Sequence, residues 1–145
     1  MDSEFWISQT LVRALYADFL EPVCKTYHLT RMELDVLLFL ANNPDFDTAT
    51  DIVEKRRLTK SHVSLAVNAL VHKGYLSRIF RENNRKTVHL VLCGSASLIV
   101  SEGRNAQKAF AEILLKDFSE EDARLLHRLL ARMDRNIRSH LKEES

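Results

Sequence analysis

The sequence predicts a mostly helical protein carrying one small β-hairpin. Three observations lead there. Hydrophobic residues make up 46% of the chain against only 3 Gly and 2 Pro, a composition for packed elements rather than linkers. Apolar residues recur at helical spacing over most of the length, and strict alternation replaces that spacing only after Gly74. A chain of 145 residues forms one domain with a real core. No apolar run approaches the roughly 20 residues that span a bilayer. Met1-Asp2-Ser3-Glu4 places no basic region before an apolar one, so no signal peptide is expected. Two cysteines, Cys24 and Cys93, fit a reducing cytoplasm better than a disulfide scaffold.

The first helix is predicted from about Ser3 to Tyr27. Its apolar residues Ile7, Leu11, Val12, Leu15, Tyr16, Phe19, Leu20 and Val23 are too many for one stripe. A belt of that width is covered from two sides, which in so short a chain implies a second subunit. Pro22 is expected to bend or weaken the last turn. Thr30-Arg31-Met32-Glu33 is a capping box opening a helix to about Ala41, with Met32, Val36, Phe39 and Leu40 inward. Asn42 to Asp45 is a loop by turn chemistry. A short helix from about Thr48 to Lys55 turns Ala49, Ile52 and Val53 inward, and Arg56-Arg57-Leu58 leads on.

The next helix is the most informative. Thr59 is the expected N-cap, its hydroxyl accepting from the first turn. Val63, Ala66, Val67, Leu70 and Val71 form one apolar stripe, and Lys73-Gly74 closes the helix. Ser61, His62, Leu65, Asn68, Ala69 and His72 must then face outward, a small, polar face free of acid. Such a face suits the major groove of DNA. Tyr75 to Phe80 and Thr87 to Leu92 read as two strands around a polar tip, Arg81 to Lys86. Ser95 or Ser97 is expected to cap a long helix to about Lys116. Ser119-Glu120-Glu121-Asp122 begins the last helix, striped by Leu126, Leu129, Leu130, Met133 and Ile137.

Charge separates along the chain. The formal net charge is only +1, yet from Lys55 to Lys86 nine Lys or Arg face a single acid, Glu82, a balance of +8. Elsewhere twelve basic and nineteen acidic residues give −7. The middle is built for a polyanion that the flanks would repel.

Helix, helix, turn, helix, hairpin is the winged helix-turn-helix layout. Framed by an N-terminal and two C-terminal helices, the chain resembles the MarR (multiple antibiotic resistance regulator) family of bacterial transcription factors over nearly all its length. The resemblance rests on Leu29-Thr30 with Leu34, Val36 and Leu37; Leu58 to Ser64; Leu70 to Leu76; and Asn84-Arg85-Lys86 in the wing. It implies an interlocked homodimer of about six helices per chain, reading a pseudo-palindromic operator in the cytoplasm. Residues 1–30 and 95–145 would form the dimerisation region and 31–94 the DNA-binding region. It further implies a repressor, rather than an activator, released by a small effector. In that frame Ser61, His62, Leu65 and Asn68 would read bases, Asn68 taking an adenine edge and Leu65 a thymine methyl. Lys55, Arg56, Arg57, Thr59, Lys60, Ser64 and Lys73 would hold phosphates. Arg81, Asn84, Arg85 and Lys86 would serve the wing, with Arg85 in the minor groove. Trp6, Tyr16 and His28 are the candidate effector pocket.

The sequence departs from the family in three places. Asn84-Arg85-Lys86 stands where Asp-Arg-Arg is common, His28 where many members have glycine before Leu-Thr, and Arg56 or Arg57 where a glycine usually precedes the recognition helix. Two other readings stay open: a thiol-based redox regulator of the same fold using Cys24, and a winged-helix scaffold that binds protein and not DNA. No metal site is expected, because His62 and His72 lie ten apart with no cysteine partner. No cofactor is implied. The chain lacks a Gly-rich phosphate loop, a His-Glu-x-x-His pair and a Gly-x-Ser-x-Gly elbow, so no enzymatic role is read. The row Arg124, Arg128, Arg132, Arg135, Arg138 reads as a solvated face.

Overall fold

A computed structural model describes residues 3–143. The elements are α1 (Ser3–Tyr27), α2 (Arg31–Asn42), α3 (Ala49–Arg56), α4 (Lys60–His72), β1 (Leu76–Arg81), β2 (Asn84–Leu92), a 3-10 turn (Gly94–Ala96), α5 (Ser97–Leu114) and α6 (Glu120–Glu143). The chain forms two compact units, divided after Phe110 within α5. No described helix is long and apolar enough to cross a membrane.

Local chemistry sets most helix starts. The Thr30 hydroxyl accepts from Glu33 N at 3.1 Å while the Glu33 carboxylate accepts from Thr30 N at 3.4 Å. Thr48 and Asp51 repeat this box at 3.0 and 3.2 Å. Ser119 and Asp122 repeat it at 3.0 Å in both directions. Each box satisfies two backbone donors that the first turn cannot pair internally. The expected serine cap of α5 is different. Ser97 is already helical and its hydroxyl donates to Gly94 O at 2.8 Å, while Ser95 donates to Gly74 O at 2.6 Å. A 3-10 turn, rather than a cap, feeds this helix.

The core of the first unit gathers around α2, buried from Glu33 to Leu40 save Asp35. Leu34, Leu37, Ile52, Leu70 and Leu20 are almost completely enclosed, each contributing roughly 1.5–3 kcal/mol by its burial. Val63, Ala66, Val67 and Leu70 bury the predicted stripe of α4, with Val71 half-buried. Gly103 lets α5 lie close on α2, since a Cβ there would meet Leu38 Cδ2 at 2.7 Å. The wide belt of α1 closes only at its far end. Leu20 and Val23 are buried, whereas Trp6, Ile7 and Leu11 stay more than half exposed. The helix also runs unbroken through Pro22, the Thr26 hydroxyl donating to Pro22 O at 2.9 Å. In α6, Leu129, Leu130, Met133 and Ile137 are exposed in the single chain.

The hairpin is tighter than the six-residue tip predicted. Arg81 pairs with Asn84 around a two-residue turn, where Asn83 takes φ 64°. Asparagine tolerates that left-handed backbone. The strands are in regular antiparallel register from Leu76↔Leu92 to Ile79↔His89. Phe80 alone then stands opposite Arg85 to Val88 on β2, a register irregularity within the cationic part of that strand. Sequence alternation could not show this, because the bulge breaks the period of two.

A buried carboxylate holds the start of α2 to the end of α4. Glu33, with its side chain 4% exposed, lies 2.7 Å from Lys73 Nζ, and the same ammonium donates to His28 O at 3.0 Å. Lys73→Met is therefore expected to strand Glu33 without a partner. The loss should be about 2–4 kcal/mol in urea denaturation, and the added substitution Glu33→Gln should recover part of it.

Candidate nucleic-acid interface

The exposed face of α4 follows from the burial of its opposite stripe. Ser61, His62, Leu65 and Asn68 are all exposed, while Ala69 is half-buried. Leu65 is 71% exposed, too open to be a core leucine. His62, Leu65 and Ala69 edge a groove of about 440 Å³ against Met32 and Glu33 of α2. Ser64 is half-buried, beside Lys60 and α3.

The start of α4 differs from those of α2, α3 and α6. Thr59 occupies the N-cap position, but its side chain makes no capping hydrogen bond, contrary to the sequence expectation. The first-turn N–H groups are left without that partner. Arg56, Arg57 and Lys60 are exposed around them, an arrangement suited to a phosphate. Arg57 also closes α3 at φ 50°, ψ 48°. Lys55, on α3, instead lies over the Phe46 ring, 4.6 Å from its centre, a cation–π contact that draws its ammonium to the loop before that helix.

Several candidate contacts have partners inside the protein. Lys73, expected on a phosphate, is turned to Glu33. Arg81, expected in the wing tip, gives Nη2 to Asp47 Oδ2 at 2.8 Å. Asn84 holds its own turn, its Oδ1 accepting from Lys86 N at 3.0 Å and its Nδ2 donating to Thr87 Oγ1 at 3.3 Å. Asn68 turns its Oδ1 to the Arg78 guanidinium. Arg85 and Lys86 remain exposed in the irregularly paired part of β2.

Two residues important to this arrangement escaped sequence reasoning. Asp47, in the loop before α3, accepts from Leu90 N through its backbone O at 2.7 Å. Its carboxylate bridges Arg81 and His89, whose Nδ1 is 2.7 Å from Oδ1. It thus fastens both wing strands to the helical head. Arg78 was only one of nine cations in the charge count. The available signal was its place two residues after buried Leu76, on the same strand face.

The proposed effector residues do not converge. Trp6 and Tyr16 are ten residues apart on one helix, about 15 Å along its axis, and His28 lies beyond that helix's end. Trp6 packs edge-on against Phe5, and the Tyr16 hydroxyl accepts from Gln107 at 2.9 Å beneath Arg31. A cleft of about 560 Å³ lies elsewhere, between the end of α2, the end of β2 and the start of α5, with Cys93, Ser97 and Arg104 on its walls. Cys24 is half-buried, and burial pushes its thiol above the usual range despite the opposing charge of Arg31. Its reactive thiolate is disfavoured.

A helix with an acid-free exposed face, beside a cationic hairpin, defines the winged helix-turn-helix class. The MarR family model matches the winged-helix segment over residues 27–86, from the end of α1 into the wing. The fold extends that likeness to almost the whole chain. The transcriptional regulator SlyA superposes with TM-score 0.81 at 18% identity, covering 99% of this chain and 100% of its own. A MarR-family regulator from Listeria monocytogenes, complexed with a 26-mer DNA, gives 0.79 at 16%, covering 94% and 90%. The S. aureus MepR–DNA complex gives 0.76 at 17%, covering 94% and 99%. Among curated proteins no sequence matches the chain.

The Asp47 tether yields a local test. Asp47→Ala should release Arg81 and His89 together and destabilise the wing by about 1–3 kcal/mol. Amide hydrogen exchange should quicken across β1 and β2 while the middle of α1 keeps its protection.

Proposed function

We propose that the protein is a transcriptional regulator that binds double-stranded DNA as a homodimer. The carrying observation is the uncapped, cation-flanked start of α4 on the same exposed surface as Ser61, His62 and Leu65. Arg56, Arg57 and Lys60 would grip phosphates and set affinity and salt dependence. Ser61, His62 and Leu65 would enter the major groove, and Arg85 with Lys86 would follow the adjacent minor groove. Lys73 and Arg81 take no part, because each is matched to a carboxylate. The solved DNA complexes of the Listeria regulator and MepR support the same use of this fold.

Dimerisation is supported by apolar surface without cover in the single chain: Trp6, Ile7 and Leu11 on α1, and Leu129, Leu130, Met133 and Ile137 on α6. A dimer places two recognition helices against half-sites about one helical turn apart, which calls for a pseudo-palindromic operator. Repression relieved by a small ligand is the regulatory mode we assign. The cleft beside Arg104 at the base of the wing offers a place from which such a ligand would act, provided it binds the DNA-incompetent arrangement better.

Gel shifts with random duplex DNA across a salt series test this reading. Lys60→Ala should weaken binding uniformly and reduce the salt slope by about one. Adding Arg85→Ala should weaken it further, most on A·T-rich flanks. Unchanged affinity in the double variant at moderate ionic strength, or a monomeric chain in sedimentation, would refute the proposal.

A further inference from the structure

We propose that Arg78 is a specificity-determining residue: it converts Asn68 from an adenine reader into one half of a donor-only pair that selects guanine. The inference rests on the DNA-binding reading above and names the base that one position of the recognition surface takes.

Strand geometry brings the two together. Arg78 pairs across the sheet with Leu90 and follows Leu76 by two, so all three share the face turned towards the helices. Leu76 and Leu90 are buried at 2% and 5%. Arg78 lies where that face leaves the core, and its side chain reaches Asn68 on the exposed side of α4. The amide orientation follows from chemistry. A guanidinium has five N–H donors and no acceptor, so only Oδ1 of Asn68 can meet it.

That orientation decides what Asn68 can read. Recognition of adenine by asparagine uses both ends of the amide, with Oδ1 accepting from N6 and Nδ2 donating to N7. With Oδ1 turned to Arg78 and one of its two lone pairs taken, the amide is fixed and Asn68 meets a base first with the donors of Nδ2. The guanidinium adds further donors beside it and nothing else. A donor-only surface matches guanine, whose major-groove edge presents two neighbouring acceptors, N7 and O6. It opposes the N6 donor of adenine and the N4 donor of cytosine, and thymine offers it a single acceptor.

The other arginine of β1 sharpens the contrast. Arg81 is paired with the carboxylate of Asp47, which offsets its charge locally. Arg78 meets a neutral amide and keeps its full positive charge on an exposed surface. An aspartate at position 68 would have neutralised it and repelled the base edge. Asparagine orients the guanidinium without doing either.

The experiment is selection of bound sequences from a random duplex pool by the full-length chain, comparing wild type, Arg78→Ala and Arg78→Lys. Wild type should enrich a site with guanine at one position of each half-site. In R78A the freed amide should turn, and the preference for guanine over adenine there should fall by about five- to hundredfold or reverse. R78K keeps donors only and should keep guanine. Base preference is read among bound molecules, so a uniform loss of affinity in a variant does not obscure it. If R78A selects the wild-type profile, or wild type selects no guanine in the half-site, the inference is overturned while DNA binding stands. A wild-type chain that enriches no sequence overturns both.

Discussion

The arrangement of the winged-helix head depends on a carboxylate that has almost no contact with water. Glu33 caps the start of α2, and it is matched by an ammonium from the far end of α4. The same Lys73 Nζ closes on His28 O, at the turn between α1 and α2. One ion pair therefore gathers the ends of three helices. The geometry has to be that tight, since a buried charge left without its partner is strongly unfavourable. The pair is spread over 40 residues of sequence, so it forms only when the core between α2 and α4 has closed. It sets the position of α4 relative to the rest of the first unit, and the surface of Leu65 and His62 inherits that position.

This division between local and distant causes explains what the sequence could reveal. The box at Thr30, the helix start at Thr48, the stripe of α4 and the serine start of α6 are satisfied within four or eight residues, and they were legible; the reciprocal bonds of Asp51 at Thr48 went unread. The change of period after Gly74 was legible too, and the family resemblance agreed with it. Less was visible wherever a side chain chose a distant partner. Lys73 and Arg81 count as cations in any sequence reading, yet Glu33 and Asp47 take them up. Asn68 reads as a free amide until Arg78 is placed beside it. The bulge opposite Phe80 hides in a stretch whose alternation it breaks. Trp6, Tyr16 and His28 shared a chemical character suited to a pocket, but helix length keeps them apart.

The departures from the family pattern have a backbone meaning. His28, and Arg57 as one of the two residues that the resemblance set against a glycine, adopt φ 53° and 50°. A residue with a Cβ costs roughly 1–2 kcal/mol in that region. The local turns are thus dictated by the fold and not by the residue that occupies them. Neighbouring structure imposes both: Leu29 N closes on Cys24 O at 2.9 Å, and Leu58 N on Val53 O at 3.1 Å. The head tolerates this strain because the elements on either side are fixed by buried leucines and by capping boxes. At Arg57 the bent backbone also presents a cation beside the start of α4, which a glycine there would not supply.

Charge is the last step in the same logic. The segment from Lys55 to Lys86 carries nine cations, and two of them are matched by acids from outside it, Glu33 and Asp47. The acidic flanks do more than repel a polyanion, because they supply the two carboxylates that lock the cationic segment in shape. All nine are exposed, and the seven others lie at the end of α3, at the start of α4, on β1 and at the start of β2. Had Lys73 and Arg81 also been left unpaired, the field would have been stronger and the head less fixed. Phosphate attraction grows with each added charge, but reading a base requires donors and acceptors held in place. The observed allocation gives up some attraction for position, which is what the proposed reading of a DNA sequence would require.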